Sequence, residues 1–448
     1  MFSPPVSADP TGAAPVLGGA LIGLSDRGSA VSCLHAPTAS GSLLIAPLPG
    51  PTTAAATGAT NAVGTTASGA GSTTAVAALP AARALGVDID AGPVTIGGGA
   101  AALLSAPLGL DADCSTSENL ELAGLTPGGV VPFAQLARNV EVLGAAIAAD
   151  ARGDVAAAWI ESSGAQVEAL DTLWIAIRTA GSSTRGPIRL AQERSPEGLS
   201  LGLGSVAVGI DGAGRALVTY TTDSEVFAET LDPDGSPGER QVIGPCNENC
   251  SVALGEAPNG RAVIAWNSQS GSTEPGSPLA VLASVRGADD APFGARQVID
   301  PGQLENGDLD GPQAAIAADG TAIVEWNNSV GTNEDPDSVV RAAIAPAGRG
   351  FGPIIALAAN GNPGTIAVRP DGEALITWVA ITQVNSTSGP VHAILVPPGD
   401  TVAPRGVTLS GASGDFPLAE FTADGTPLVA WEACVGNDAA VGVSTHRR

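Results

Sequence analysis

The chain has 448 residues, 45 acidic and 19 basic, and its net charge of −26 reflects missing bases, since every cation is arginine and there is no lysine. Phosphate binding needs clustered Lys or Arg, so nucleic-acid and anionic-membrane partners are excluded. Aromatic residues make up only 3%, and the 59 glycines and 35 prolines are spread as turns, an all-β composition with thin strands.

Residues 1–20 lack a basic segment followed by an apolar run, so no signal peptide is read there. No window reaches the roughly 18 apolar residues of a membrane-spanning helix. The start, Met1-Phe-Ser-Pro-Pro, reads as an entry into a truncated or processed chain. A first hairpin is expected from Val16–Leu24 and residues 29–34 around Asp26-Arg-Gly28, with a third strand at 41–46. Residues 51–75 are uncharged Ala, Thr, Gly and Ser, expected as a flexible low-complexity insertion in a single domain spanning 1–448. Val87–Ile96 opens a second unit, in which Ala100–Leu110 reads as either strand or short helix. Strands follow at Asn119–Leu125 and Val130–Ala137.

From residue 141 one pattern dominates. Two short apolar strands hinge on an Asx-Gly turn, and an aromatic residue follows: Asn259 with Trp266, Asp319 with Trp326, Asp371 with Trp378, Asp424 with Trp431. Asp150 with Trp159 and Asp211 with Tyr220 are looser copies, while Asp26 and Asp90 mark two upstream units without the aromatic. Successive units begin 48 to 64 residues apart, which is a repeat architecture. Each unit is too small to enclose a core and must stack on its neighbours.

Each unit reads as four strands. The first two are Ala-rich and apolar on both faces, as expected of strands buried on both sides. A polar loop leads to strand three, and a Gly/Pro turn leads to strand four. The expected fold is therefore an all-β propeller of eight four-stranded blades, or seven if the second unit is not a full blade. The last unit stops after its third strand, and Pro4–Ala8 is placed to supply the fourth.

The repeated Asp-Gly-x-Ala-x-Val-x-Trp, in blades ending in Phe-Gly-x-Pro or similar, resembles the WD40-like and sialidase-like propellers of exported bacterial proteins. The resemblance implies architecture and an extracellular or cell-surface location. It departs from the family patterns in detail: there is no Gly-His…Trp-Asp pair, and the Trp stands seven residues after the Asp rather than the five of the sialidase Asp box. The single tyrosine, Tyr220, occupies a repeat aromatic position, and the sialidase Arg-Ile-Pro entry motif is absent.

Candidate chemistry is sparse. The repeat aromatics are expected to pack between blades, with sugar stacking as the other reading, and off-register Trp174 is the better ligand contact. Asn306, Asp308 and Asp310 space oxygen atoms as calcium loops do, but Ala317 stands where the closing acid belongs. Calcium is thus the one cofactor considered, and none is required. Cys246 and Cys250 are expected to form a local disulfide, with Cys33 and Cys434 as a further pair and Cys114 left over. His35, His392 and His446 are dispersed, with no Gly-x-Ser-x-Gly elbow.

The loops 160–171, 267–278, 327–337, 379–390 and 432–438 should emerge on one face as the working surface. The expected function is a monomeric, non-enzymatic binding or structural module whose ligand is a glycan or protein. The alternative is a glycan-active hydrolase or lyase.

Overall fold

The computed structural model describes residues 21–25, 43–47, 72–77, 88–96, 99–110, 116–126, 129–163, 169–194, 202–246, 250–269, 279–288, 291–302, 312–332, 335–381, 389–401, 406–410, 414–421, 425–435 and 438–446. Every regular element among them is a β-strand. β1 (Leu21–Ser25) and β2 (Leu43–Pro47) form a two-stranded antiparallel sheet. β3 (Ser72–Ala77) is followed by β4 (Asp88–Ile96), β5 (Gly99–Leu110), β6 (Thr116–Thr126), β7 (Gly129–Ala149), β8 (Val155–Ser163), β9 (Leu170–Arg178) and β10 (Thr184–Arg194). β4 to β10 make one seven-stranded sheet in sequence order. It divides at β7, whose residues 129–140 pair with β6 and 141–149 with β8. Asn139, in the left-handed region at φ 54°, lies at that division.

Four-stranded antiparallel sheets then follow one another. The third unit is β11 (Leu203–Ile210), β12 (Ala216–Thr222), β13 (Glu225–Leu231) and β14 (Gln241–Pro245). The fourth is β15 (Val252–Glu256), β16 (Ala262–Gln269), β17 (Leu279–Arg286) and β18 (Gln297–Asp300). The fifth is β19 (Gln313–Ile316), β20 (Ala322–Thr332), β21 (Asp335–Ala345) and β22 (Ile355–Ala358). The sixth is β23 (Gly361–Val368), β24 (Ala374–Ala380), β25 (Val391–Val396) and β26 (Val407–Thr408). The seventh contains β27 (Gly414–Phe421), β28 (Pro427–Val435) and β29 (Asp438–His446), and β3 pairs with β29 as its fourth strand.

The first strands of successive units lie side by side, which gives the radial order of a propeller. Gly255 of β15 shows how close they come: a Cβ there would stand 2.6 Å from Ala315 Cα of β19. With β3 inserted in the last sheet and β4 opening the first, the chain joins both ends of the series. With the two halves of the long sheet counted separately, the described residues hold seven four-stranded units, beside the two-stranded sheet of β1 and β2.

Asp26 and residues 29–34 of the expected first hairpin lie outside the described residues, and β1 pairs with β2. Pro4–Ala8 also lies outside them, and the last sheet is completed by β3 instead. β3 takes its first four residues from the run 51–75, where β-permissive Thr and Val sit among the alanines. Ala100–Leu110 lies within strand β5. The loop expected over 327–337 is mostly strand, because β20 and β21 stay paired as far as Thr332↔Asp335.

The core lies between sheets. Trp159, Tyr220, Trp266, Trp326 and Trp431 are essentially fully buried and Trp378 nearly so. Each belongs to a cluster shared with the preceding sheet. Trp266 packs with Leu217, Val226 and Ala228, and Trp326 with Val263, Ala265 and Ile299. Trp378 packs with Val340 and Ile344, and Trp431 with Leu375 and Ala393. Tyr220 meets Ile175 and Ile177, while Trp159 meets Leu120 and Leu122. Alanine dominates the strands beside them, which lets the sheets approach and leaves one large ring per interface to fill the space. At Gly244 the fit depends on a missing side chain, since the Trp266 ring lies 2.6 Å from where a Cβ would stand.

The repeat acids build the turns between the first two strands. Asp150 Oδ1 accepts the N–H groups of Arg152 and Asp154, both at 2.9 Å. Asp211 Oδ1 accepts those of Ala213 at 2.8 Å and Arg215 at 2.9 Å, and Asp319 Oδ1 accepts Thr321 N–H at 2.7 Å. The following glycines hold φ between 74° and 100°, a region costly for any other residue. Neighbouring turns also touch. Gly212 N donates to Pro258 O at 2.8 Å, and Asn259 Nδ2 to Ala318 O at 2.7 Å. This end of the sheets is knit turn to turn.

Candidate functional site

Antiparallel topology sends the strand-two to strand-three loops, and the links between sheets, to the opposite end. There the described side chains hold backbone rather than one another's turns. Asp171, fully buried at the head of β9, accepts Gly202 N–H at 2.9 Å and Leu203 N–H at 3.3 Å through Oδ2. Its Oδ1 accepts Ser162 Oγ–H at 2.8 Å. One carboxylate therefore ties β8, β9 and the start of the next sheet together.

The same device recurs with other chemistry. Thr221 Oγ1 accepts Ser205 N–H at 2.9 Å and donates to Cys250 O at 3.2 Å. Asn267 Oδ1 accepts Ser251 N–H at 2.6 Å. Asp300 Oδ1 accepts Gly302 N–H at 3.0 Å, while its Oδ2 meets Trp326 Nε1 at 3.2 Å and Arg341 Nη1 at 2.6 Å. Cys246 and Cys250 are joined by a disulfide across the link between the third and fourth sheets. The bonds accepted by the Asp171 and Asp300 carboxylates are charge-assisted and therefore the stronger ones.

The residues singled out from the sequence fall elsewhere. Asn306, Asp308 and Asp310 lie outside the described residues, as do Asp26 and Asp424. Among the described residues no group of three His, Cys, Asp or Glu side chains could hold a metal ion. Trp174 sits in β9 opposite Trp159, packed against the cluster of Leu120 and Leu122, with its Nε1 buried and unpartnered. It is half-buried in a sheet rather than displayed on a loop. Tyr220 is stacked on Phe227 at 5.3 Å, and its hydroxyl accepts a bond from Arg240 Nη1 at 3.3 Å. His392 stacks on Trp378, and burial holds its pKa below the usual histidine value.

Three glutamates depart from ordinary carboxylate behaviour. Burial pushes Glu256 up to about 8, outweighing Arg286 Nη2 at 2.7 Å. Burial pushes Glu420 up to about 7. Glu325 of β20 is completely buried and raised well above its usual value by burial alone. Sequence reading missed these acids and the anchors Asp171 and Asp300. The available signal was position: Asp171 and Asp300 stand at the boundary between an apolar strand and a polar link.

No protein-family model matches the sequence, and the search of curated proteins found no match. Among solved structures, the chain is similar to a polysaccharide lyase at 9% identity and TM-score 0.42, covering 78% of this chain and 88% of that one. It is similar to an α-L-arabinanase from Penicillium chrysogenum at 12% identity and TM-score 0.37, covering 68% and 92%. It is also similar to prolyl oligopeptidase B from Galerina marginata at 10% identity and TM-score 0.37, covering 75% of this chain and 45% of that longer one. Each is a distant likeness. No helix among the described residues is long and apolar enough to cross a membrane.

Proposed function

We propose that this propeller-like chain, one domain over 1–448, is a glycan-binding module that holds its ligand on the loop end of the sheets. The observation that carries this is the asymmetry of the two ends. Asx turns bond to one another at the first end, as between Asn259 and Ala318. At the second end, Asp171, Thr221, Asn267 and Asp300 hold the links between sheets in place. A fixed rim carrying variable loops is how rigid scaffolds display binding groups. The loop sequences offer Ser, Thr, Asn, Gln, Asp and Glu with almost no arginine, which suits hydrogen bonding to sugar hydroxyls. Asp171 and Asp300 are engaged with backbone and side-chain donors, so they serve as anchors. The module acts outside the cell or at its surface as a monomer, and calcium at Asn306, Asp308 and Asp310 is the cofactor to test.

A second reading keeps the glycan and adds its cleavage, as a hydrolase or lyase, the class named for two of the similar structures. Release of shortened products from a bound polysaccharide distinguishes it from binding alone. The location is tested by titrating a retained glycan against wild type and Asp171→Asn. Weaker binding by a variant with unchanged circular dichroism supports the loop end. Equal binding by both removes it.

A further inference from the structure

In each unit the residue just before the repeat aromatic faces the next sheet, because alternation along the strand points it away from the aromatic's own cluster. Where this residue is threonine it donates to backbone carbonyls. Thr219 Oγ1 donates to Phe227 O at 2.8 Å. Thr377 Oγ1 lies 2.9 Å from Thr365 O and 3.2 Å from Pro417 O of the next sheet. The position is otherwise neutral: Thr377 Oγ1 also accepts Thr365 N–H at 3.1 Å, and Ala158, Ala265 and Ala430 occupy it in other sheets.

Glu325 takes that position in the fifth sheet. Its register partners are Gln313 and Ala342, and Ala342 and Ile323 belong to the cluster shared with the sixth sheet. Both carboxyl oxygens are buried and have no hydrogen-bond partner. An ionised carboxylate here would have no donor to bond and no cation to pair with. β19, β23 and β24 carry no charged residue at all. Arg341 of β21 is turned to Asp300, and His392 of β25 stacks on Trp378 beside Thr408. A protonated carboxyl, by contrast, is uncharged and avoids the cost of burying an unpaired charge.

We infer that the interface between the fifth and sixth sheets is held shut by a proton on Glu325, which makes it a pH-sensitive seam that loosens as pH rises. The sign follows from linkage. The folded chain retains a proton that the unfolded chain releases above the ordinary glutamate range, so unfolding is favoured as pH rises through that interval. The ratio of folded to unfolded chains falls about tenfold per pH unit for each proton so held. The seam is then tightest under acidic conditions and weakest under alkaline ones.

The test is the melting temperature of wild type, Glu325→Gln and Glu325→Leu from acidic to alkaline pH. Glutamine keeps a donor in place without a titrating group, and leucine removes both. Wild type should lose melting temperature with rising pH relative to Glu325→Gln, whose curve lacks this component. Amide hydrogen exchange on wild type alone covers the case in which neither variant folds. Exchange in β20 and β23 should accelerate with pH beyond the intrinsic chemical increase, relative to β12 and β13. Parallel melting curves for wild type and Glu325→Gln would overturn the inference. So would uniform exchange across the sheets, should both variants fail to fold.

Discussion

Trp326 Nε1 donates to Asp300 Oδ2 at 3.2 Å, and Arg341 Nη1 binds the same oxygen at 2.6 Å. One carboxylate at the end of the fourth sheet thereby holds an aromatic ring and a cation of the fifth. Trp326→Ala should cost about 3–5 kcal/mol, the usual loss for a buried aromatic. Asp300→Ala should cost about 3 kcal/mol, because it strands Arg341 and the indole together. Urea denaturation of each variant measures this. A double variant well short of the sum of the singles is expected, since the two side chains share a bond.

Gly255 sits where two inner strands pass close together. An alanine methyl would stand 2.6 Å from Ala315 Cα and 2.9 Å from Ala314 O, both backbone that cannot swing aside. Gly255→Ala should therefore destabilise by about 1–3 kcal/mol. Gly287, whose surroundings are open, is the control, and Gly287→Ala should be nearly neutral. Thermal melts of the pair check both.

Glu420 of β27 titrates at about 7 through burial. Its folded value lies above its unfolded one, so its contribution to stability is full below the ordinary glutamate pKa near 4.5 and is lost as pH rises through about 7. Glu420→Gln should therefore flatten the melting-temperature profile between those values. The change should end near neutrality. Melting curves at closely spaced pH values check this.

Much of the architecture was legible because the turns advertise themselves. Asp211, Asn259, Asp319 and Asp371 precede glycines that must adopt positive φ, and an aromatic falls nine residues behind the first and seven behind the others. The strand count per unit followed from that spacing. The completion of the last sheet was not legible, because its fourth strand Ser72–Ala77 is short, lacks charge and differs little from the low-complexity run before it. The anchors Asp171 and Asp300 were invisible for a related reason. Their role depends on backbone amides of the next sheet, such as Gly202 N–H, brought close only by stacking. Glu325 could be read as a polar residue in an apolar strand, but its lack of partners is a property of the packed interface.

The most direct measurement is a glycan-array screen of the purified chain, run with calcium and with chelator. Selective retention of one group of related glycans is the predicted result. Loss of that retention in chelator would show a divalent-ion requirement and make Asn306, Asp308 and Asp310 the residues to substitute next. A blank array under both conditions would contradict glycan recognition by the loop end of the sheets.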